Sequence, residues 1–279
     1  MGIIIAILLF SFIIIFHELG HFLLAKANGI RVDEFSLGLG PTLIGKKIGG
    51  TKFCIKLLPF GGACMMGEDD ADDMSEGSFN SKSVWARSSV IAAGPAFNLI
   101  LAWIFCVIII LSVGYRSAEI SSVSEGYSAA EQGMQAGDVI KEINGRNIHI
   151  WDDVSLYTLT HPNETSLEVV YERDGEEYTA VIEPRQLEGD ATPKLGVTSG
   201  EVVKPGLLGA FQYGAYTVRY WINYTFDSLR MLVTGQLGIK DMSGPVGIVS
   251  AVDSVYQAAA PSGIAAIVLN MLHFGVLVT

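Results

Sequence analysis

Long apolar runs dominate the pattern of hydrophobic and polar positions along the chain. Residues 3–25 are compatible with a helix, and Ser11 is the only polar side chain before His17. About 20 apolar residues are enough for a helix to cross the hydrocarbon core of a bilayer. The pattern therefore predicts a first transmembrane helix over residues 1–27.

Two further apolar runs follow. Residues 88–113 contain no charged side chain, although Pro95 and Asn98 interrupt their apolar character, and they predict a second transmembrane helix within 88–114. The run 263–279 is shorter than a spanning helix needs. We expect it to be the incomplete start of a further transmembrane helix, in a chain whose C-terminus is truncated.

Strand-like alternation replaces the apolar runs in the loop 28–87. Gly49 and Gly50 lie between two short strand-like stretches, which is typical of a β-hairpin turn. The segment predicts a β-hairpin around 46–58, after which Pro59 breaks the second strand. The acidic stretch that follows the hairpin is expected to be a solvated linker.

A small α+β domain is predicted over residues 115–200. Its stretch VIKEI reads as a strand and is followed by the turn Asn144-Gly145, and a second hairpin turns at Asp174-Gly175. Residues with such turn chemistry between alternating apolar positions are the usual signal for antiparallel strands. The domain is inserted between the second and the last apolar run.

The segment 201–262 is expected to hold an amphipathic helix and a connector. Residues 207–235 are rich in aromatic side chains and are interrupted by charged ones, a composition that favours a helix lying in the membrane interface. A short core helix is the alternative. The stretch DMSGPVGI, residues 241–248, predicts a turn before the last apolar run.

Composition agrees with a membrane protein that carries some water-exposed mass. Half of the residues are hydrophobic (50%) and the mean hydropathy is +0.40, too apolar for an ordinary soluble domain. Most of the net charge of −11 lies between 115 and 205. Without a basic stripe, nucleic-acid binding is not expected. The three cysteines lie outside this acidic segment, so no disulfide framework is indicated there.

Charge placement also predicts the orientation in the membrane. The loop 26–87 is rich in Lys and Arg, and the positive-inside rule places it in the cytoplasm. The domain 115–200 then lies on the outer side, because the second helix separates the two. No basic residue precedes the first apolar run and no A-x-A site follows it, so a retained helix is favoured over a signal peptide.

The motif HELGH, residues 17–21, lies inside the first apolar run. On a helix, His17 and His21 are one turn apart and point the same way, so both imidazoles reach one zinc ion. Glu18 is then placed to act as a general base on water. The alternative is a chance motif with satisfied core histidines. Three ionisable residues in hydrocarbon are costly without a function, which favours the zinc hydrolase.

A third zinc ligand is not evident in the sequence. A catalytic zinc usually has three protein ligands. The remaining histidines are His149 and His161, in the outer domain, and His273, in the last apolar run, which is a weak candidate. Asp241 and Asp253 are nearer to loops than to membrane depth.

Five stretches in order resemble the site-2 protease family of intramembrane zinc metalloproteases, specifically its RseP-like branch with one PDZ domain. They are FHELGHFLLAK followed by FSLGLGP, GGTKFCIKLLPFGG, AGPAFN, SAAEQGMQAGDVIKEING and MSGPVGI. The resemblance covers essentially the whole chain. It implies a polytopic α-helical membrane protein with a membrane-associated β-hairpin and an inserted α+β PDZ domain.

The same resemblance implies a Zn²⁺ cofactor held by His17 and His21, with Glu18 as the catalytic residue. It places the third ligand in a Leu-Asp-Gly motif, which we expect beyond Thr279. The implied location is the bacterial cytoplasmic membrane, as a multi-pass protein with an extracytoplasmic PDZ domain.

The implied activity is the cleavage of transmembrane segments, as in the processing of an anti-sigma factor or a remnant signal peptide. The hairpin would offer a strand edge to the substrate, with Phe53 and Ile55 as candidate contacts. Pro95 and Asn98 are candidates for lining the same cavity, and a local helix kink is the alternative for both. The PDZ domain would bind substrate or partner ectodomains. The alternative function is an inactive fragment or a membrane-anchored PDZ adaptor, because the third ligand is absent.

Overall fold

The computed structural model describes residues 2–67, 72–187, 193–238 and 245–279. The chain divides into two compact units. The first comprises Met1–Phe105 with Ser243–Thr279, and the second comprises Cys106–Met242.

Apolar helices form the framework of the first unit. They are α1 (Gly2–Ala27), α2 (Val84–Val113, whose last turns belong to the second unit), α6 (Pro245–Ala259) and α7 (Ile264–Val278), with a short 3₁₀ turn at Ala260–Ser262. Among the described residues, Ile4–Ala27 and Val84–Val113 are long and apolar enough to cross a membrane. Helix α2 begins before the predicted start at 88 and stays continuous through Pro95.

Small residues let α1 and α2 pack closely. A Cβ atom built on Gly20 would lie 2.5 Å from the main-chain oxygen of Ala93 and 2.9 Å from the Phe97 ring. Such distances are too short for any larger residue, so the helix axes approach each other at this point. This approach brings the HELGH face of α1 against α2.

The predicted hairpin exists, but its strands are longer than the sequence suggested. Strand β1 spans Glu34–Ile48, and β2 spans Thr51–Met65. The turn lies at Gly49 and Gly50, which have φ angles of 57° and 87°, and glycine adopts this left-handed conformation without strain. The expected break at Pro59 is wrong: β2 continues through it, because the segment beyond Pro59 finds a second partner in β1.

The strands β1 and β2 each contribute two paired segments, so together they form a sheet of four segments. Residues 42–48 pair with 51–56 around the turn, whereas residues 34–37 are partnered by 52–55 and also by 62–65. The spatial order of segments is therefore 42–48, 51–56, 34–37 and 62–65. The two edges of the sheet are 42–48, at the hairpin end, and 62–65.

The second unit is an α+β domain with its own apolar core. Its strands are β3 (Tyr115–Arg116), β4 (Ile120–Val123), β5 (Val139–Ile143), β6 (Arg146–Asn147), β7 (Leu167–Arg173), β8 (Glu176–Ile182), β9 (Val197–Ser199) and β10 (Val202–Val203). Its further helices are α3 (Ser128–Glu131), α4 (Trp151–Thr160) and α5 (Leu207–Val233). The main sheet has the order β6-β5-β7-β8, and β4 pairs with β9 and β3 with β10. The inserted domain, residues 115–203, thus extends slightly past its predicted boundary.

Local sequence explains the hairpins of this domain. Asn144 and Asp174 are the described non-glycine residues with positive φ, at 47° and 53°, and each precedes a glycine, as tight hairpin turns require. Ile140, Ile143 and Val169 are almost fully buried. The alternation along β7 places one face of the sheet in the core, and a register irregularity between Ile140 and Glu142 lets β5 bury both of its isoleucines.

Helix α5 is continuous and packs its polar side on the inserted domain. Asp227 accepts a hydrogen bond of 2.7 Å from Arg146, and Arg230 lies 3.1 Å from Nε2 of His161. The ring of Tyr213 stacks on Tyr115 with centroids 3.7 Å apart. These contacts hold α5 to the domain from one end to the other.

The segment after α5 differs from the simple connector expected within 201–262. Residues 245–259 form α6, and the predicted turn over 241–248 is wrong for 245–248, which are helical. Residues 241–244 lie outside the described residues. Val252 of α6 is fully buried with Ala6, Met271 and Phe274, so packing against α1 and α7 favours a helix here.

Candidate active site

Helix α1 brings the three polar residues of HELGH to one place in the first unit. The rings of His17 and His21 have centroids 4.8 Å apart and planes 79° apart. This is the arrangement expected of residues one turn apart on the same helix face. The two imidazoles therefore approach the same space from different directions.

A main-chain group of α2 fixes the orientation of His21. Its Nδ1 atom lies 2.7 Å from the carbonyl oxygen of Val90. A carbonyl only accepts, so Nδ1 must carry the proton and Nε2 keeps its lone pair. Metal-binding histidines commonly have such a partner behind them, because it holds the ring and its tautomer in place.

Gly94 shows where the two lone pairs converge. A Cβ atom built on Gly94 would lie 2.5 Å from Nε2 of His17 and 2.5 Å from Nε2 of His21. A single point close to both nitrogens is what a zinc ion needs, since Zn–N distances are about 2.0–2.1 Å. The absence of a side chain at 94 keeps this space open. Two of the ligands that a zinc ion needs are therefore in place.

Glu18 faces a cavity of about 520 Å³ beside the histidines. A Cβ atom built on Gly62 would lie 3.3 Å from Cγ of Glu18, so the edge segment 62–65 passes directly next to this carboxylate. The cavity is lined by Glu18, His21, Gly62, Ala63, Cys64, Met65, Met66, Gly67, Phe79, Val90 and Ile91. A substrate strand in this cavity would lie against the carboxylate and the sheet edge together.

The structure places the predicted substrate contacts elsewhere in the first unit. Phe53 packs against Phe22 and Phe35 with centroids 5.6 and 5.8 Å apart, and Ile55 is 48% exposed. The cavity lining includes neither of them. The strand edge beside Glu18 is 62–65, and the use of 46–58 as a substrate edge stays a prediction.

The two α2 candidates have different surroundings. Pro95 is exposed. Asn98 lies one turn after Gly94 on the same helix face, and its Oδ1 atom is buried with no hydrogen-bond partner. A buried amide oxygen without a partner is costly, which marks Asn98 as a group available to a bound molecule. Neither residue lines the cavity beside Glu18.

Among the described residues, no third ligand joins His17 and His21. Within the described ranges, no group of three His, Cys, Asp or Glu side chains is placed to hold a metal ion. His273 is exposed and its Nδ1 atom contacts the Leu269 oxygen of its own helix. Asp253 is on α6 and belongs to no such group, and Asp241 lies outside the described residues.

Sequence reasoning missed Gly94, the Val90 carbonyl and the segment 62–67. The glycine in AGPAFN was a usable signal, because glycine in a helix is unfavourable and needs a reason. The paired glycines at 61 and 62 were another. A main-chain partner such as the Val90 oxygen cannot be predicted from sequence, because every residue type has a main-chain oxygen.

A second cavity, of about 350 Å³, lies in the inserted domain. It runs between one side of α4 and the segment 193–198. Its lining residues are Ser124, Tyr127, Trp151, Val154, Ser155, Thr158, Pro193, Lys194, Leu195, Gly196, Val197 and Thr198. A groove between a helix and a short strand is suited to an extended peptide that adds to the strand.

Comparison with known proteins identifies relatives of the whole chain. The family model of Peptidase family M50 matches residues 5–279. The chain is 35% identical over 98% of its length to the putative zinc metalloprotease CA_C1796 of Clostridium acetobutylicum, covering 79% of that protein. It is 36% identical to the putative zinc metalloprotease CPE1693 of Clostridium perfringens, covering 93% of this chain and 77% of that one.

Two further similarities are more distant. The regulator of sigma-W protease RasP of Bacillus subtilis is 28% identical over 89% of this chain and 79% of its own. The PDZ domain of an SdrC-like protein from Listeria monocytogenes is 25% identical and covers 31% of this chain and 90% of that one, with a TM-score of 0.27. That TM-score is too low to assign a fold.

Proposed function

The chain belongs to peptidase family M50, and from this membership we propose that it is an intramembrane zinc metalloendopeptidase acting through His17, Glu18 and His21. The observation that carries the proposal is the convergence of two imidazole Nε2 atoms on the space left open by Gly94. Glu18 follows His17 on the same helix and lines a cavity together with His21.

The three residues have distinct roles. His17 and His21 would hold the metal through Nε2, and the Val90 oxygen keeps His21 in the tautomer that this requires. A bound zinc ion supplies Lewis-acid chemistry and lowers the pKa of water to about 7. Glu18 accepts the proton of the attacking water and returns it to the leaving amine nitrogen. The family resemblance implies a third ligand from the Asp of a Leu-Asp-Gly motif, and residues 1–279 hold no such motif.

The substrate is a transmembrane segment that unwinds in the cavity. Peptide bonds in a helix are protected by their own hydrogen bonds, so the scissile bond must be presented in extended form. The edge segment 62–65 supports this step, because it is partnered by 34–37 on one side and lines the cavity with Glu18. A substrate strand adding to this edge would gain main-chain hydrogen bonds.

The proposed topology is multi-pass in a bacterial cytoplasmic membrane. Helices α1 and α2 cross the bilayer, and the shorter apolar helix α7 is a further membrane-embedded segment. The sheet β1–β2 lies on the cytoplasmic side and the inserted domain on the outer side, as the Lys- and Arg-rich loop indicates. Helix α5 lies in the outer interface, since Leu208, Phe226 and Val233 are 84%, 68% and 87% exposed on its apolar side.

The inserted domain acts as a PDZ domain that selects substrate or partner ectodomains. Its groove between α4 and residues 193–198 supports this role. One relative is named a regulator of sigma-W protease. We extend this to membrane-bound anti-sigma factors, or remnant signal peptides, as the substrate class.

The test compares zinc content and cleavage of a model transmembrane substrate. It uses residues 1–279, the product of the complete open reading frame that contains them (the full product), and Glu18→Gln in the full product. We expect the full product to hold one zinc ion per chain and to cleave, and Glu18→Gln to hold zinc without cleaving. If the full product neither binds zinc nor cleaves, the protease proposal is wrong and a PDZ adaptor becomes the better account.

A further inference from the structure

The cavity beside Glu18 has a polar part and an apolar part. Its polar lining consists of Glu18 and His21. Three further lining residues, Cys64, Met66 and Phe79, are only 7%, 7% and 8% exposed. The same three side chains belong to one apolar core cluster of the first unit. We call them the apolar wall, because each packs against the core on one side and faces the cavity on the other.

The pleat of the strand edge beside Glu18 leads to this wall. Successive residues of a strand point to opposite faces, so Gly62 and Cys64 share one face of the sheet. Met66 continues the alternation, because it is buried whereas Met65 is 51% exposed. The Cβ position of Gly62 is 3.3 Å from Cγ of Glu18. The face of the edge that meets the carboxylate therefore meets the apolar wall two residues further along the chain.

A hydrogen-bonded turn positions Phe79 in the wall. The hydroxyl of Ser78, which is 1% exposed, donates a hydrogen bond of 2.7 Å to the main-chain oxygen of Asp73. The amide of Arg31 donates one of 2.7 Å to the Gly77 oxygen. These bonds tie the turn to itself and to the segment that precedes β1. The ring is therefore a fixed boundary of the cavity.

Core packing alone would explain apolar side chains here, but not their mixture and their place. None of the three members of the wall carries a charge, so a charged side chain directed at it would lose its hydration without gaining a partner. Methionine is unbranched and adapts its shape to its neighbours, whereas a phenylalanine ring is rigid. A wall of this kind accommodates apolar side chains of different shapes up to a size that the ring limits.

We infer that the apolar wall is a specificity pocket, which selects one large apolar side chain of the substrate close to the cleaved bond. The inference rests on the proposed function, in which the substrate adds as a strand to the edge 62–65. Residues side by side on neighbouring strands point to the same face. The substrate residue beside Cys64 therefore directs its side chain at Met66 and Phe79.

The register of the edge also gives the distance of this residue from the cut. It lies two positions from the substrate residue beside Gly62, where the catalytic carboxylate is. The pocket accepts Leu, Met or Phe at this position and rejects Asp, and Phe79 sets the largest side chain that enters.

The test measures cleavage of a set of transmembrane substrates by the full product. Each substrate has Leu, Trp or Asp at one position within about four residues of the cleaved bond. We expect one position at which kcat/KM with Leu exceeds kcat/KM with Asp at least about tenfold. At that position, Phe79→Leu and Met66→Ala should each raise the ratio of kcat/KM with Trp to kcat/KM with Leu at least about tenfold, because each enlarges the pocket.

Phe35→Leu is the matched control. Phe35 packs against the same core cluster but does not line the cavity. This variant should lose stability and keep the ratio of the parent protein, since a ratio between two substrates does not change when part of the enzyme unfolds. A second readout needs no turnover: a photoreactive leucine at the selected substrate position should crosslink to 64–66 or Phe79 in the Glu18→Gln variant of the full product.

The outcomes separate this inference from the proposed function. Cleavage without preference at any position, equal ratios in Phe79→Leu and Phe35→Leu, or crosslinks confined to other residues would overturn the inference and leave the protease intact. If the full product cleaves none of the substrates, the proposed function is wrong and the inference fails with it.

Discussion

The Nδ1 atom of His21 lies 2.7 Å from the carbonyl oxygen of Val90, and this contact joins the HELGH helix to α2 one turn before Gly94. The packing of α1 on α2 thus positions both the lone pair of His21 and the open space at Gly94. Metal affinity should depend on the packing of α1 on α2 as much as on the histidines.

Gly94→Ala should abolish metal binding. The new Cβ would lie 2.5 Å from both Nε2 atoms, in the space that a zinc ion requires. We expect zinc occupancy of the purified full product to fall at least about tenfold, measured by metal analysis. The control is Gly275→Ala, whose Cβ would meet the Phe105 ring at 2.9 Å. It should reduce stability but retain zinc, and zinc retained by Gly94→Ala would contradict the prediction.

Gly62→Val should impair cleavage without removing zinc. Its side chain would press on Cγ of Glu18, 3.3 Å from the Cβ position, and on the oxygen of Ser36 at 3.1 Å. A small displacement of a catalytic group is costly, and we expect kcat/KM to fall about 10- to 100-fold. Unchanged zinc content would assign the loss to the carboxylate and the substrate edge. Full activity would show that 62–65 does not contact the substrate.

Asp138→Asn should destabilise the inserted domain. Asp138 is 1% exposed and accepts hydrogen bonds of 2.6 and 2.8 Å from Arg173. Removing one partner of a buried ion pair leaves the other uncompensated, so the midpoint of thermal unfolding should fall by about 5 °C or more. Glu131→Gln, in the exposed pair with Arg185, should change it little.

The same pair predicts how stability depends on pH. Burial alone would raise the pKa of Asp138, but the hydrogen bonds from Arg173 and from the Gln135 amide outweigh it and the pKa is lowered. A lowered native pKa stabilises the fold above the ordinary carboxyl pKa of about 4 and loses this effect as the pH falls below it. As the pH is lowered below about 4, the midpoint of thermal unfolding should fall more steeply for the parent protein than for Asp138→Asn.

Ser155→Tyr should block the groove of the inserted domain. Ser155 is an exposed lining residue on α4, so a larger side chain fills the groove without entering the core. We expect the affinity for a fluorescent peptide with an apolar C-terminal residue to fall at least about tenfold. Leu159→Tyr, on the same helix at a 62% exposed position outside the lining, is the matched control. An equal loss of peptide affinity in Ser155→Tyr and Leu159→Tyr would rule out the groove as the peptide-binding site.

Asp227→Asn should loosen α5 from the inserted domain. The change removes the 2.7 Å ion pair with Arg146, whose Nη2 atom is already buried without a hydrogen-bond partner. An unpaired, partly buried guanidinium is unfavourable, so amide exchange in α5 should accelerate about fivefold or more. Glu201→Gln, at an exposed position, should leave the exchange rates of α5 unchanged.

Local patterns in the sequence determined the elements of the fold. The apolar runs predicted α1, α2 and α7, and the turn pairs Gly49-Gly50 and Asn144-Gly145 predicted hairpins that the structure contains. These features depend on side-chain periodicity and on backbone freedom, which neighbouring residues alone decide. The spacing of HELGH likewise predicted two histidines on one helix face.

Only the tertiary structure decided what surrounds the histidines. Three contacts join segments that are far apart in the chain. Residues 62–65 pair with β1, Gly94 approaches both imidazoles, and the Val90 oxygen contacts His21. Their geometry depends on how helices and strands pack, and backbone atoms contribute as much to it as side chains. Sequence periodicity does not predict such partners, and the segment 62–65 beside Glu18 is therefore visible only in the tertiary structure.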